Sequence, residues 1–161
     1  AHALPWPDAG FAIVTSRIAP HHFSALPRAM REIARVTRPG GLVIIVDSVV
    51  PDDPALDAFL NRVELMRDPS HVRSHTETEW RQLFEDSGLE VFITERFARR
   101  HPYDEWVARA LVPKEELPAL DAAFLHAGPA AQAAFHIEIA DGHVIAFTDE
   151  KLLIAGRKAS A

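Results

Sequence analysis

Its 161 residues are enough for one domain with a sizeable core, and 48% apolar with 25% charged residues is an ordinary balance for a globular chain. A net charge of −6 argues weakly against a nucleic-acid or anionic-membrane partner, since both reward a basic face. The absence of cysteine excludes a disulfide scaffold, thiolate chemistry and Cys-based zinc sites, and fits a cytoplasmic protein.

The predicted elements follow in chain order. "GFAIVTSRI" reads as a strand, and its continuous run Phe11 to Val14 suggests burial on both faces. "SALPRAMREIARVTRPGG" reads as a helix, with Ser24 as N-cap, Pro27 in the first turn and Pro39-Gly40-Gly41 as the stop. Leu26, Met30, Ile33 and Ala34 fall on one face of it. "LVIIVDSVV" is a second apolar strand, so strand, helix and strand form a βαβ unit with a parallel pair. "DPALDAFLNRVELMRD" is an amphipathic helix carrying Leu56, Phe59, Leu60, Val63 and Met66.

"TETEWRQLFEDSGL" is a further helix, with Thr76 and Glu79 spaced as a capping box and Gly88 as its stop. "EVFITERFA" is a strand. Residues 102–134 are Ala-rich and punctuated by Pro113, Pro118 and Pro129, and read as a helical insertion. "FHIEIADGHVIAF" and "KLLIAGRK" are strands, with Asp141-Gly142 as a hairpin turn. The expectation is one α/β domain over 1–161 with an open mixed sheet. No run of about 18 apolar residues is present, so no membrane span is expected.

The phrases "ALPWPDAGFAIVTSRIAPHHF", "ALPRAMREIARVTRPGGLVIIVD", "TETEWRQLFEDSGLEV" and "LLIAGRK" cover most of the chain. In that order they resemble the second half of a class I S-adenosylmethionine-dependent methyltransferase, of the ubiquinone/menaquinone-biosynthesis kind known as methyltransferase type 11. The resemblance implies a partial Rossmann-like fold. "FAIVTSRI", "LVIIVDSVV", "EVFITERFA" and the terminal strand would be the family's fourth, fifth, sixth and seventh strands, in the sheet order 4-5-7-6 with the seventh antiparallel.

One departure from the family is large. The family's glycine-rich loop has no counterpart, because the glycines stand at 10, 40, 41, 88, 128, 142 and 156. The acidic residue that holds the ribose and the Asp that reads adenine are also missing. The chain is therefore expected to be the C-terminal portion of such an enzyme, supplying its acceptor side, and to bind S-adenosylmethionine poorly by itself. The alternative is a non-catalytic module that serves dimerisation or partner binding. Either way "FAIVTSRI" would present an unpaired apolar edge, and a homodimer through residues 11–18 is expected to hide it.

Candidate site residues cluster after the predicted parallel strands, where open α/β sheets place their ligands. The resemblance implies cofactor contacts at Ala1 and His2, which would follow the adenine-reading Asp, and at Ser16, Arg17 and Ile18. Arg17 either pairs with the cofactor carboxylate or makes a surface salt bridge. His22 is the candidate general base for a phenolic or amine acceptor, with a helix-capping or packing role as the alternative. His21, Asp47, His71 and Arg73 are candidates for the acceptor pocket, although "RDPSHVRSHT" also reads as a solvated loop. His71 and His75 are four apart, yet Pro69 and Thr76 argue against a helix and no third ligand is suggested, so no metal is expected. Trp6, Trp80 and Trp106 read as packing anchors. The reaction implied is in-line methyl transfer to a small-molecule acceptor.

Overall fold

The computed structural model describes residues 3–110 and 112–160. Strand β1 (Phe11–Arg17) leads through a 3₁₀ turn at Pro20–His22 into helix α1 (Leu26–Val36) and then strand β2 (Thr37–Val50). Helix α2 (Pro54–Arg67) follows, then the short strand β3 (His75–Thr76), helix α3 (Glu77–Glu85) and strand β4 (Leu89–Pro102). Helices α4 (Tyr103–Ala110), α5 (Leu117–Leu125) and α6 (Pro129–Ala134) precede strands β5 (Glu138–Ala140) and β6 (His143–Lys158).

The sheet order is β1-β2-β6-β4, with β3 paired to β2 and β5 to β6. β1 and β2 are parallel, and β6 runs antiparallel to both of its neighbours β2 and β4. This is the order 4-5-7-6 expected from the sequence. β2 is central because its apolar run can be covered on both faces, and none of residues 41–50 is exposed.

Side chains alternate along a strand, so the sheet carries one apolar cluster on each face. On one face Val43, Ile45, Leu152 and Ile154 meet Leu26, Met30 and Ile33 of α1 and Trp80 and Phe84 of α3. On the other, Val50 and Phe147 meet Leu60 and Val63 of α2, Trp106 of α4 and Leu120 and Phe124 of α5. Each fully buried side chain of this size is worth about 1.5–3 kcal/mol. Trp80 and Trp106 are packing anchors, being 1% and 2% exposed. Trp6 is not, at 49%.

The capping box forms as the spacing requires. Thr76 Oγ1 accepts from Glu79 N, and the Glu79 carboxylate accepts from Thr76 N. Asp53 caps α2 by accepting from Ala55 N and Leu56 N. Asp141 and Gly142 make the hairpin turn with φ of 50° and 76°.

Four expectations need correction. β1 is not buried on both faces; Phe11 and Ile13 are exposed, and among the described residues only β2 lies beside it. Ala25, not Ser24, occupies the N-cap position of α1. α1 ends at Val36, before Pro39-Gly40-Gly41; Thr37 Oγ1 donates to Ile33 O there, and Gly40 then turns the chain at a φ of 71°. "HVIAF" and "KLLIAGRK" are one continuous strand, because β4 pairs along almost the whole of β6.

Candidate active site

His21 lies in the turn just beyond the carboxyl end of β1, and Asp47 lies late in the parallel neighbour β2. Between them, Ile18 bends the chain out of the sheet with a φ of 48°, a rare conformation for a β-branched residue, while its N–H donates to Val46 O at 2.8 Å. Asp47 is 1% exposed. Its Oδ2 accepts from His21 N at 2.8 Å, and its Oδ1 accepts from Ser48 N at 2.9 Å and from His21 Nδ1 at 2.5 Å. The carboxylate thereby fixes the imidazole's orientation and places the proton on Nδ1. Nε2, the ring nitrogen left without a partner among the described residues, is then the acceptor.

The segment 68–76 locks this turn from the other side. Val72 N and Arg73 N both donate to His21 O, at 2.9 and 3.0 Å. The His71 ring lies 5.6 Å from that of His21, and its Nε2 donates to Asn61 Oδ1 at 2.9 Å. Burial, reinforced by the nearby His21 and His22, pushes the His71 pKa down to about 4, so it is neutral at neutral pH. The loop reading of 68–74 holds, but it is a packed loop with His71 and Ser74 buried.

A cavity of about 160 Å³ opens beside His21. The end of β1 contributes Ile18 and His21, β2 contributes Ser48, and the loop contributes His71 and Ser74. Glu64 and Arg67 come from α2, Arg99 and His101 from β4, Trp106 and Arg109 from α4, and Lys151 from β6. Its floor is a buried polar chain. Lys151 Nζ donates to Ser48 Oγ at 2.8 Å and to Asp149 Oδ2 at 2.6 Å, and His101 Nε2 donates to Asp149 Oδ1 at 3.0 Å. Burial raises the Asp149 pKa, but the His101 hydrogen bond and the Lys151 charge outweigh it and hold that carboxyl below its usual range. Arg67 lies over the Trp106 ring at 4.7 Å and pairs with Glu64 at 3.3 Å.

The sequence-derived candidates divide on this geometry. His21, His71 and Ile18 line the cavity, and Asp47 stands directly behind His21. His22 does not line it; its Nδ1 faces Ser70, 2.9 Å from the backbone oxygen, and its ring lies tilted against that of His21, 4.1 Å between centroids. Arg73 does not line it either, because Asp57 and Glu79 hold its guanidinium at 2.9 and 3.0 Å. Ser16 and Arg17 lie at the end of β1 outside the cavity, and the exposed Arg17 side chain has no carboxylate partner among the described residues. Ala1 and His2 lie outside the described residues. Among the described residues, no group of three or more His, Asp or Glu could hold a metal ion, and no helix is long and apolar enough to cross a membrane.

Ser48, Ser74, Arg99, His101, Trp106, Arg109, Asp149 and Lys151 were not legible as site residues. One signal was present for two of them. Asp149 and Lys151 interrupt an otherwise apolar strand at a spacing of two, which puts both on one face.

A mixed sheet with a His–Asp pair and a polar cavity at the carboxyl ends of its parallel strands defines an α/β protein of the Rossmann-like class. The chain belongs to the methyltransferase-domain family, whose model matches residues 2–92. It is similar to the uncharacterized methyltransferase YcgJ of Bacillus subtilis, 36% identical over 159 residues, which are 98% of this chain and 63% of that protein. It is also similar to the uncharacterized protein YafE of Escherichia coli, 37% identical over 122 residues, 74% of this chain and 58% of that one. The crystal structure of YcgJ superposes with a TM-score of 0.96 at 35% identity, covering 99% of this chain and 69% of that one. Geranyl diphosphate methyltransferase in complex with SAM shares the fold, at 16% identity and a TM-score of 0.59 over 98% of this chain and 55% of that one. The chain thus spans about 60% of the length of its curated relatives. These matches bear out the family and the fold, but not the narrower expectation that the chain is the C-terminal portion of such an enzyme.

Proposed function

We propose that this chain forms the acceptor side of an S-adenosylmethionine-dependent methyltransferase acting on a small molecule, with His21 as the general base. The observation that carries this is the His21–Asp47 pair at the mouth of the cavity. His21 replaces His22 in that role because its Nε2 is free beside the cavity, whereas His22 is turned to Ser70. When bound, S-adenosylmethionine supplies an electrophilic methyl group on a sulfonium. Asp47 holds the ring, and Nε2 takes the proton that an O–H or N–H acceptor loses as its oxygen or nitrogen is alkylated. His71, neutral and packed against His21, adds no charge that would repel that proton.

The fit to the cofactor is one-sided. The unpaired Arg17 guanidinium and the backbone at Ser16 to Ile18 suit its carboxylate end. Among the described residues no glycine-rich turn joins a strand to a helix to cradle its adenosine end. We accordingly read the chain alone as a poor binder of S-adenosylmethionine. The segment 102–134 is read as an insertion whose α4 walls the acceptor cavity through Trp106 and Arg109. A second reading, a non-catalytic module that docks through β1, is favoured by one observation, the exposure of Phe11 and Ile13 on that edge strand. In the catalytic reading the same edge pairs with a second copy.

The test is methyl transfer by a fusion in which this chain replaces the segment of YcgJ it matches. His21→Ala is expected to slow transfer by about 10²–10⁴-fold, the usual contribution of a general base. His22→Ala is expected to leave the rate within about threefold. Equal losses in the two variants would remove His21 from the role.

A further inference from the structure

We propose that the cavity beside His21 selects an acceptor that carries an oxyanion, a carboxylate or a phosphate, held by Arg99 and Arg109. The inference rests on the acceptor-side reading and deepens it by naming the chemistry of the substrate.

The charges around the cavity do not balance. Lys151 is matched by Asp149, and Arg67 by Glu64. Asp149 is fully engaged, one oxygen to Lys151 and the other to His101, although it stands opposite Arg99 in the strand register. Asp47 is spent on His21 and the Ser48 N–H. Arg99 and Arg109 therefore line the cavity with no carboxylate partner among the described residues. Two such guanidiniums lining one small cavity offer an anion two forks that match carboxylate and phosphate geometry. The overall charge of −6 makes this local cationic excess a property of the cavity and not of the surface at large.

Two buried polar atoms of lining residues are also unsatisfied among the described residues. Ser74 Oγ and His101 Nδ1 have no hydrogen-bond partner among the described residues, and their residues are 1% and 5% exposed. Such atoms are costly unless something fills the site. His101 already donates through Nε2 to Asp149, so Nδ1 is its nitrogen without a partner among the described residues. A small acid with its oxyanion on the two arginines meets their needs. A neutral apolar acceptor would leave them unmet.

The test is a titration of the full chain, without S-adenosylmethionine, by benzoate, phenyl phosphate and the neutral benzyl alcohol. The readout is the NMR signal of the Trp106 indole N–H, since Trp106 lines the same cavity. At least one anion is expected to shift it saturably, and the tighter of the two identifies the oxyanion. Arg99→Ala and Arg109→Ala are each expected to weaken binding by about tenfold, as for loss of a charged hydrogen bond. Arg28→Ala, on the opposite side of the sheet, is expected to leave it unchanged. Both arginines are exposed and unpaired, so their removal leaves the fold intact. Benzyl alcohol binding as tightly as the anions, parental affinity in both cavity variants, or no saturable shift with either anion would overturn the proposal. The measurement stands apart from methyl transfer. Anion binding without turnover would count against the catalytic reading alone, and turnover without anion binding against the oxyanion site alone.

Discussion

At the residue scale the informative group is His71. In the folded chain its pKa lies at about 4, against 6.5 for an ordinary histidine. Between those values the unfolded chain binds more protons there than the folded one. Stability is therefore full above about pH 6.5 and is lost as the pH falls towards 4. The melting temperature is expected to drop across that window, and His71→Gln is expected to flatten the drop. An unchanged pH dependence in the variant would remove His71 as its source. The sequence marked His21, His71 and Asp47 as candidates, because family phrases and strand ends point to them. It could not rank His21 above His22. Adjacent histidines differ only in which way the turn aims them, and that is set by Asp47, 26 residues away, and by Ser70, 48 residues away.

At the element scale, the pattern of apolar positions was enough to place β2, α1, α2 and α3, and the Thr76–Glu79 spacing was enough to cap α3. Thr76→Ala is expected to cost about 1 kcal/mol in denaturant unfolding, the usual value of an N-cap. Packing between elements was not legible. Gly156 sits in β6 beneath α3, and a Cβ there would meet Phe84 Cδ1 at 2.6 Å. Gly156→Ala is expected to destabilise the chain by about 1–3 kcal/mol, as overpacked core sites do. A neutral result would mean that α3 can lift from the sheet. The length of β6 was also missed. Thr148 to Glu150 reads as a polar break between two strands, yet β4 pairs straight across it, and Asp149 and Lys151 pair with each other inside, hydrogen-bonded to His101 and Ser48. Local pattern carries no sign of His101 and Ser48 as partners, because they come from β4 and β2.

At the scale of the whole molecule, the sheet order 4-5-7-6 was legible because the resemblance supplied it and the Asp141-Gly142 turn agreed. The consequence for β1 is physical. Phe11 and Ile13 are 36% and 54% exposed along a strand with one edge unpaired among the described residues, which is a template for pairing. Sedimentation of the chain at micromolar concentration is expected to show a dimer, and Ile13→Lys to return it to monomer. A parent chain that is monomeric throughout would contradict self-pairing. In the proposed function the carboxyl ends of β1 and β2 form the acceptor side of a methyl-transfer site. Its most direct measurement is mass spectrometry of the YcgJ fusion after incubation with S-adenosylmethionine and a panel of small phenols, amines and organic acids. A methylated acceptor is expected together with S-adenosylhomocysteine, both lost on His21→Ala. A fusion that binds S-adenosylmethionine yet yields no methylated acceptor, or yields one undiminished without His21, would contradict it.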